Sequence, residues 1–406
     1  MKFKWSVIVS FVFLALVSCV KDIDPFPEGG TPKRGEREGV TGLHFDKVMI
    51  LYSEGYNNLR NFLDNNFDQL GDGFVPNFRD NQAIVVFSHA SVDRYDWQTD
   101  VEPVVFRVYK QYDEIIRDTV FVYPKESVSV EPGFMNKVLT DIKDKYPSDS
   151  YGLVYTSHGT GWIPKNYNKS QEFARLHFAK SVGAQYEGTS SSYTDYQIDI
   201  DEFKDAIPYH FDYIVMDACL MGGVEVVYEW RDLCDYLVAS PGEVLAEGFD
   251  YVNLSSRLLG GESPDLVGLC EDYYNMNLVN GDATVGLYDC SKIEALAQAC
   301  VPIFEAHRGN LSSIKASQVQ GFNYSYRYHY DFRDILVKLG ATPEELVPVD
   351  AALEDLVLYK KATEYFLGNH ITTYSGLSMF LPSNSWIKLS ELYQSTSWNI
   401  ATGFVK

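Results

Sequence analysis

Two apolar runs of strand length each end in a side chain able to do covalent chemistry. Leu153-Val154-Tyr155-Thr156-Ser157 leads to His158 and Gly159, and Tyr213-Ile214-Val215-Met216-Asp217-Ala218 leads to Cys219. An imidazole beside a thiol is the minimum for nucleophilic catalysis by sulfur, the ring moving the proton while the thiolate attacks. Continuous apolar runs mark parallel strands buried on both faces, and open α/β sheets build their sites at strand C-termini. Neighbouring places in such a sheet would bring His158 and Cys219 to one crevice. Gly159, followed by Thr160-Gly161, lets the chain turn tightly and aim an amide at a developing oxyanion. Plainer readings stand beside these: a histidine that merely ends a strand, and a buried structural cysteine.

Asp217 lies two residues before Cys219 and shares its facing, because side chains alternate along a strand. A carboxylate raises the pKa of a neighbouring thiol, so Asp217 is a poor activator and a better seat for a cationic side chain. Buried, it needs either that cation or a hydrogen-bonding neighbour. Cys219 itself sits at a strand-to-helix junction, whose amides favour a thiolate. The helix after it is read over residues 222–230.

The elements that must position these groups follow an α/β rhythm. Strands are expected at residues 47–52, 83–88 and 236–240, with hairpin or edge strands at 105–109 and 119–123. A helical pattern runs through Leu70. A second helix carries Phe134, Val138, Ile142 and Tyr146 on one stripe and stops at Pro147. That helix between two apolar strands is a βαβ unit. Residues 163–197 are polar, rich in Tyr and Ser, and show no period, so they read as a long irregular insert. From Leu254 on the pattern is mainly helical, with helices near 291–304 and 351–367, a strand at 283–288, and a late strand near 376–382 returning to the sheet.

Composition bounds the function. The 406 residues carry a net charge of -22, which repels nucleic acid and suits basic or neutral partners. No HExxH, paired metal-ligand spacing or EF-hand pattern is present, so no metal ligands are assigned. Lys2 and Lys4 precede an apolar run that ends at Leu16-Val17-Ser18-Cys19, the pattern of an export signal over residues 1–18. Residues 19–41, rich in Pro and Gly, read as a flexible tether. Cys234, Cys270, Cys290 and Cys300 show no disulfide framework spacing and read mostly as buried small apolar side chains.

Ser157-His158-Gly159-Thr160-Gly161-Trp162 and Met216-Asp217-Ala218-Cys219-Leu220-Met221 resemble the two signatures of the clostripain family of cysteine peptidases, kin to caspases, gingipains and legumain. The opening strand with Asn57-Asn58-Leu59, the loop 240–251 and residues 376–382 resemble family landmarks in the same order. The resemblance implies a caspase-like three-layer α/β/α sandwich with a mostly parallel central sheet, a catalytic domain over 42–290, and a mainly helical C-terminal region over 291–406. It implies an endopeptidase in which His158 is the acid or base and Cys219 the nucleophile. The amides of Gly159 and Cys219 would form the oxyanion hole, and Asp217 would select Arg or Lys at P1. Glu243, Glu247 and Asp250 are alternatives for a second acidic wall. No cofactor is required for the chemistry; calcium activates some relatives, and others cut themselves between the histidine and the cysteine. Here Lys165, Lys169, Arg175, Lys180 and Lys204 lie in that interval. Cys19 resembles the lipidated cysteine of a bacterial lipoprotein, which implies an exported protein anchored to the outer membrane, touching the membrane through lipid alone and acting on proteins or peptides. The competing reading is a catalytically silent binding lipoprotein on the same scaffold.

Overall fold

The computed structural model describes residues 44–165, 167, 182–279, 281–322, 328–382 and 386–406. The signal pattern, Cys19 and the tether lie outside the described residues. From His44 to Lys406 the chain forms one unit built on a nine-stranded sheet. The centre of the sheet is parallel. In spatial order it runs Gln82–Ala90, Lys47–Gly55, the histidine strand Tyr151–Thr156, the cysteine strand Phe211–Asp217, and Cys234–Ala239. Antiparallel strands close both flanks. Val104–Gln111 and Glu114–Val122 form a hairpin on one side, and Thr284–Asp289 and Val357–Ala362 lie on the other. Tyr112 and Asp113 both have positive φ at the hairpin tip, the backbone that a tight two-residue connection requires.

Alternation along the central strands splits their side chains between two cores, which is why these runs read as uniformly apolar. Ile50, Tyr52, Leu153, Tyr155, Ile214 and Met216 pack on one face. There they meet Met135, Val138, Leu139 and Ile142 of the helix Pro132–Lys145, which begins with Pro132 at its first turn and Glu131 capping the Phe134 amide. Met49, Leu51, Val154, Tyr213 and Val215 pack on the other face, against Phe67 and Leu70 of the helix Arg60–Asp72 and against helices Tyr251–Leu259 and Leu266–Asn277. The result is three layers, helix on sheet on helix.

Several segments differ from the sequence reading. Within the insert expected to be irregular, Val182–Thr189 and Ser192–Ile198 form a hairpin. Its strands are tyrosine-rich and partly exposed, so they lack the apolar alternation that marks a strand. Residues 351–367 are not one helix: the helix Pro343–Leu356 ends and Val357–Ala362 becomes the outer strand of the main sheet. Its half-exposed alternation is that of an edge strand. That strand occupies the flank, so the late strand Ser378–Phe380 does not return to the main sheet and pairs instead with His329–Asp331. The helix after Cys219 is shorter than expected, Val224–Glu229.

Gly152 and Tyr213 face each other across the seam between the histidine and cysteine strands. A Cβ on Gly152 would lie 1.8 Å from the Tyr213 ring, so only glycine permits the ring to lie over that strand. Gly152→Ala is expected to destabilise the fold by about 1–3 kcal/mol through overpacking. A lower denaturant midpoint with an unchanged slope would register this, and an unchanged midpoint would refute it.

Candidate active site

The parallel ladder places Thr156 opposite Asp217, and one further bond, Ser157 N–H to Asp217 O at 3.4 Å, ends the regular pairing. Beyond it the two chains leave the sheet side by side. The contact between them is intimate: a Cβ on Gly159 would lie 2.5 Å from Cys219 O and 3.1 Å from Cys219 N. Gly161 has a φ of 68°, and a Cβ there would lie 2.6 Å from Leu220 O. The cysteine loop carries its own constraint, because Leu220 adopts a left-handed φ of 64°. For a leucine this costs about 1–3 kcal/mol and must be held by its surroundings. Leu220 N–H to Gly242 O at 2.7 Å and Gly222 N–H to Ser240 O at 2.8 Å tie the turn to the neighbouring loop. The helix starts only at Val224. Cys219 is therefore not at a helix N-terminus, and the expected dipole assistance to a thiolate is absent.

His158 and Cys219 line one cleft of about 190 Å³, together with Thr156, Asp217, Leu59 and residues Glu243–Ala246. His158 is 7% exposed. Its Nε2 lies 2.7 Å from Asn58 Oδ1 and its ring stacks on Tyr186. Facing a carbonyl oxygen, Nε2 carries the proton, so in the neutral ring the basic nitrogen is Nδ1. Asn58 is held by its neighbour. Asn57 donates through Nδ2 to Glu54 O and Ala184 O, at 3.0 and 2.7 Å, and accepts the Leu59 amide.

The Cys219 thiol is engaged by Val244 of the loop that follows the strand Cys234–Ala239. Sγ donates to Val244 O at 3.5 Å and accepts Val244 N–H at 3.3 Å. Burial, then Glu243, then Asp217 raise its pKa, and the Val244 amide only partly opposes them, so it is pushed up to about 12. This reverses the depressed pKa expected from the sequence. These surroundings favour the thiol over the thiolate.

Asp217 is 5% exposed and its pKa is raised to about 6 by burial. Tyr251 O–H donates to its Oδ2 at 2.8 Å, and Thr156 and the Phe249 backbone also hydrogen-bond it. Gly248, at a φ of 70°, leaves room for the carboxylate, since a Cβ there would lie 2.4 Å from Oδ2. Of the three alternatives for a second acidic wall, Glu243 lines the cleft. Glu247 is exposed, and Asp250 caps the helix Tyr251–Leu259 by accepting from Val252 and Asn253. Lys165 is bound by Glu202 and Lys204 by Glu229, while Lys169, Arg175 and Lys180 fall outside the described residues. Among the described residues no group of three or more His, Cys, Asp or Glu side chains is arranged to hold a metal ion, and no helix is long and apolar enough to cross a membrane.

Asn58, Val244 and Tyr251 were not singled out by the sequence. Asn58 carried a faint signal in Asn57-Asn58-Leu59, whereas Val244 acts through its backbone and leaves none.

A mostly parallel sheet between helical layers, with an imidazole and a thiol at neighbouring strand ends over one cleft, places the chain in the class of caspase-like α/β folds. Known proteins narrow this further. The sequence profile of the clostripain family, peptidase family C11, matches residues 51–401, and the chain belongs to that family. It is 26% identical over 250 residues to clostripain of Hathewaya histolytica, a match covering 53% of this chain and 43% of clostripain, less than half of the latter's length. An inactive zymogen C11 protease from Parabacteroides distasonis superposes with a TM-score of 0.75 at 25% identity, over 88% of this chain and 98% of the other. A secreted C11 cysteine protease from Bacteroides thetaiotaomicron, in complex with an irreversible peptide inhibitor, shares the fold with a TM-score of 0.72 at 21% identity, over 88% and 99% of the two chains.

Glu243 adds negative charge beside the thiol, so removing it lowers the thiol pKa and increases the thiolate fraction at fixed pH. Glu243→Gln is expected to speed carboxamidomethylation of Cys219 by iodoacetamide at pH 8 by about threefold or more. An unchanged or slower rate, followed by peptide mass mapping, would refute this account of the thiol's environment.

Proposed function

We propose that the chain is an exported cysteine endopeptidase that cleaves after Arg or Lys. The observation that carries this is the arrival of His158 and Cys219 at one cleft walled by Asp217 and Glu243. In the reaction, Cys219 Sγ gives up its proton to His158 Nδ1 and attacks the scissile carbonyl. The amides of Gly159 and Cys219 receive the oxyanion, and collapse gives a thioester and a leaving amine protonated by His158. Water, deprotonated by the same ring, then releases the acid. Asn58 fixes the ring's tautomer and orientation. Asp217 and Glu243 receive the P1 cation, with Tyr251 holding Asp217 while the pocket lacks one. Export and lipidation at Cys19 rest on the N-terminal sequence pattern; calcium rests on the family resemblance alone.

A fluorogenic peptide panel varying P1, run with and without calcium and beside a Cys219→Ala control, tests this reading. Turnover confined to Arg and Lys and lost in the control is expected. Asp217 loses its charge as pH falls through about 6, so kcat/KM for basic substrates is expected to fall below that pH. Asp217→Asn should cost about 2–4 kcal/mol of transition-state binding and remove the contribution of residue 217 to this limb. An unchanged P1 preference in that variant would place the pocket elsewhere.

The hydrogen bonds from Cys219 to the Val244 backbone, with a raised thiol pKa, favour a second reading, a silent binding protein, unless the chain is a resting precursor. We infer the precursor. Of the basic residues between His158 and Cys219, Lys165 and Lys204 are tied in ion pairs. Self-cleavage is expected in the interval that carries Lys165, Lys169, Arg175, Lys180 and Lys204, mapped by N-terminal sequencing of the fragments. Identical banding of wild type and Cys219→Ala, with no gain of turnover on incubation, would favour the silent protein instead.

A further inference from the structure

Four buried thiols take no part in the cleft, and two of them face each other. Cys234 opens the strand Cys234–Ala239, and Cys290 follows the antiparallel strand Thr284–Asp289. The pairing of Tyr236 with Asp289 puts both cysteines at the same end of that ladder. Their Sγ atoms are 3.8 Å apart, and each residue is 1% exposed. Cys270 and Cys300 lie apart from them, in the helices Leu266–Asn277 and Ile293–His307. Cys290 begins the short turn directly after its strand. Adjacent antiparallel strands hold opposed residues at about the backbone separation that a disulfide spans, so the two sulfurs need approach only from 3.8 Å to about 2.05 Å.

We propose that Cys234 and Cys290 are a disulfide-forming site, oxidised while the chain folds in an oxidising compartment. The inference rests on the export reading and is independent of peptidase activity. The oxidant is a low-molecular-weight or protein disulfide. One cysteine, as thiolate, attacks it and releases one thiolate; the second attacks the resulting mixed disulfide and releases the other. Two protons are lost, and two electrons pass from the cysteines to the reduced donor. Burial, with Cys290 beside it, raises the Cys234 pKa well above that of an exposed thiol. The thiolate is thus scarce once the fold has closed, and exchange belongs to the folding chain. The bond would close a ring across 56 positions. That ring contains the loop bearing Glu243 and Val244, while the bond itself sits at the far end of the strand from Cys219.

The full chain is refolded from the reduced, denatured state in a glutathione–glutathione disulfide buffer, and separately in dithiothreitol. Each product is denatured with an alkylating agent present and mapped by mass spectrometry. A second arm maps the chain exported to the periplasm of a bacterial host against the same chain kept in the cytoplasm. The expected result is a peptide linking Cys234 to Cys290 in the glutathione-refolded and exported forms, with Cys219, Cys270, Cys300 and, in the refolded full chain, Cys19 alkylated. These forms should melt several degrees above the reduced ones. Folded reduced protein should resist oxidation by the same buffer. A Cys234→Ala, Cys290→Ala double variant should lack both the link and the difference in melting temperature. Recovery of both cysteines alkylated, or each capped by glutathione, in the refolded product would overturn the proposal. A refolded link with none in the exported chain would overturn its export clause alone.

Discussion

The site depends on a missing methyl group. The histidine and cysteine loops approach so closely at Gly159 that a side chain there would meet the Cys219 carbonyl and amide. The pairing of Thr156 with Asp217 sets the height at which the loops leave the sheet. Leu220, held left-handed by its amide bond to Gly242 O, then turns the chain away after the sulfur. Sheet register, one glycine and one strained leucine together deliver two reactive groups to one cleft. Helical amides contribute nothing to that delivery.

Electrostatics in the cleft work against sulfur reactivity. Asp217 and Glu243 make the wall negative, as suits a cationic side chain, and both raise the cost of a thiolate at Cys219. Tyr251 meets the demand of the buried Asp217 carboxylate by direct hydrogen bonding. The Val244 backbone performs the same service for the thiol. The carboxylate and the thiol are thus both hydrogen-bonded within the cleft itself.

How much was legible in the sequence follows from the range of each interaction. The central strands were readable because burial on both faces leaves an uninterrupted apolar run, and the histidine and cysteine runs end at residues that line the cleft. Strand 357–362 was hidden because an edge strand is half wet, and hairpin 182–198 because tyrosine and serine carry its alternation. Asn58 meets His158 across 100 positions and Tyr251 meets Asp217 across 34. No local pattern encodes such pairs. The pKa of Cys219 depends on burial and on the loop 243–246, neither of which is visible from the motif around the sulfur.

The order of strands in the sheet has a further consequence. Every main-sheet strand before residue 157 lies on one side of the ladder between the histidine and cysteine strands, and every one after residue 210 lies on the other. A nick in the interval between them would leave a heterodimer whose shared backbone seam in the main sheet is that ladder. Each fragment would own one member of the pair, with hairpin 182–198 clasping back onto the first fragment through Trp97 and Asn57. Imidazole and thiol would then belong to separate polypeptides, and the cleft that holds both would become a property of their assembly.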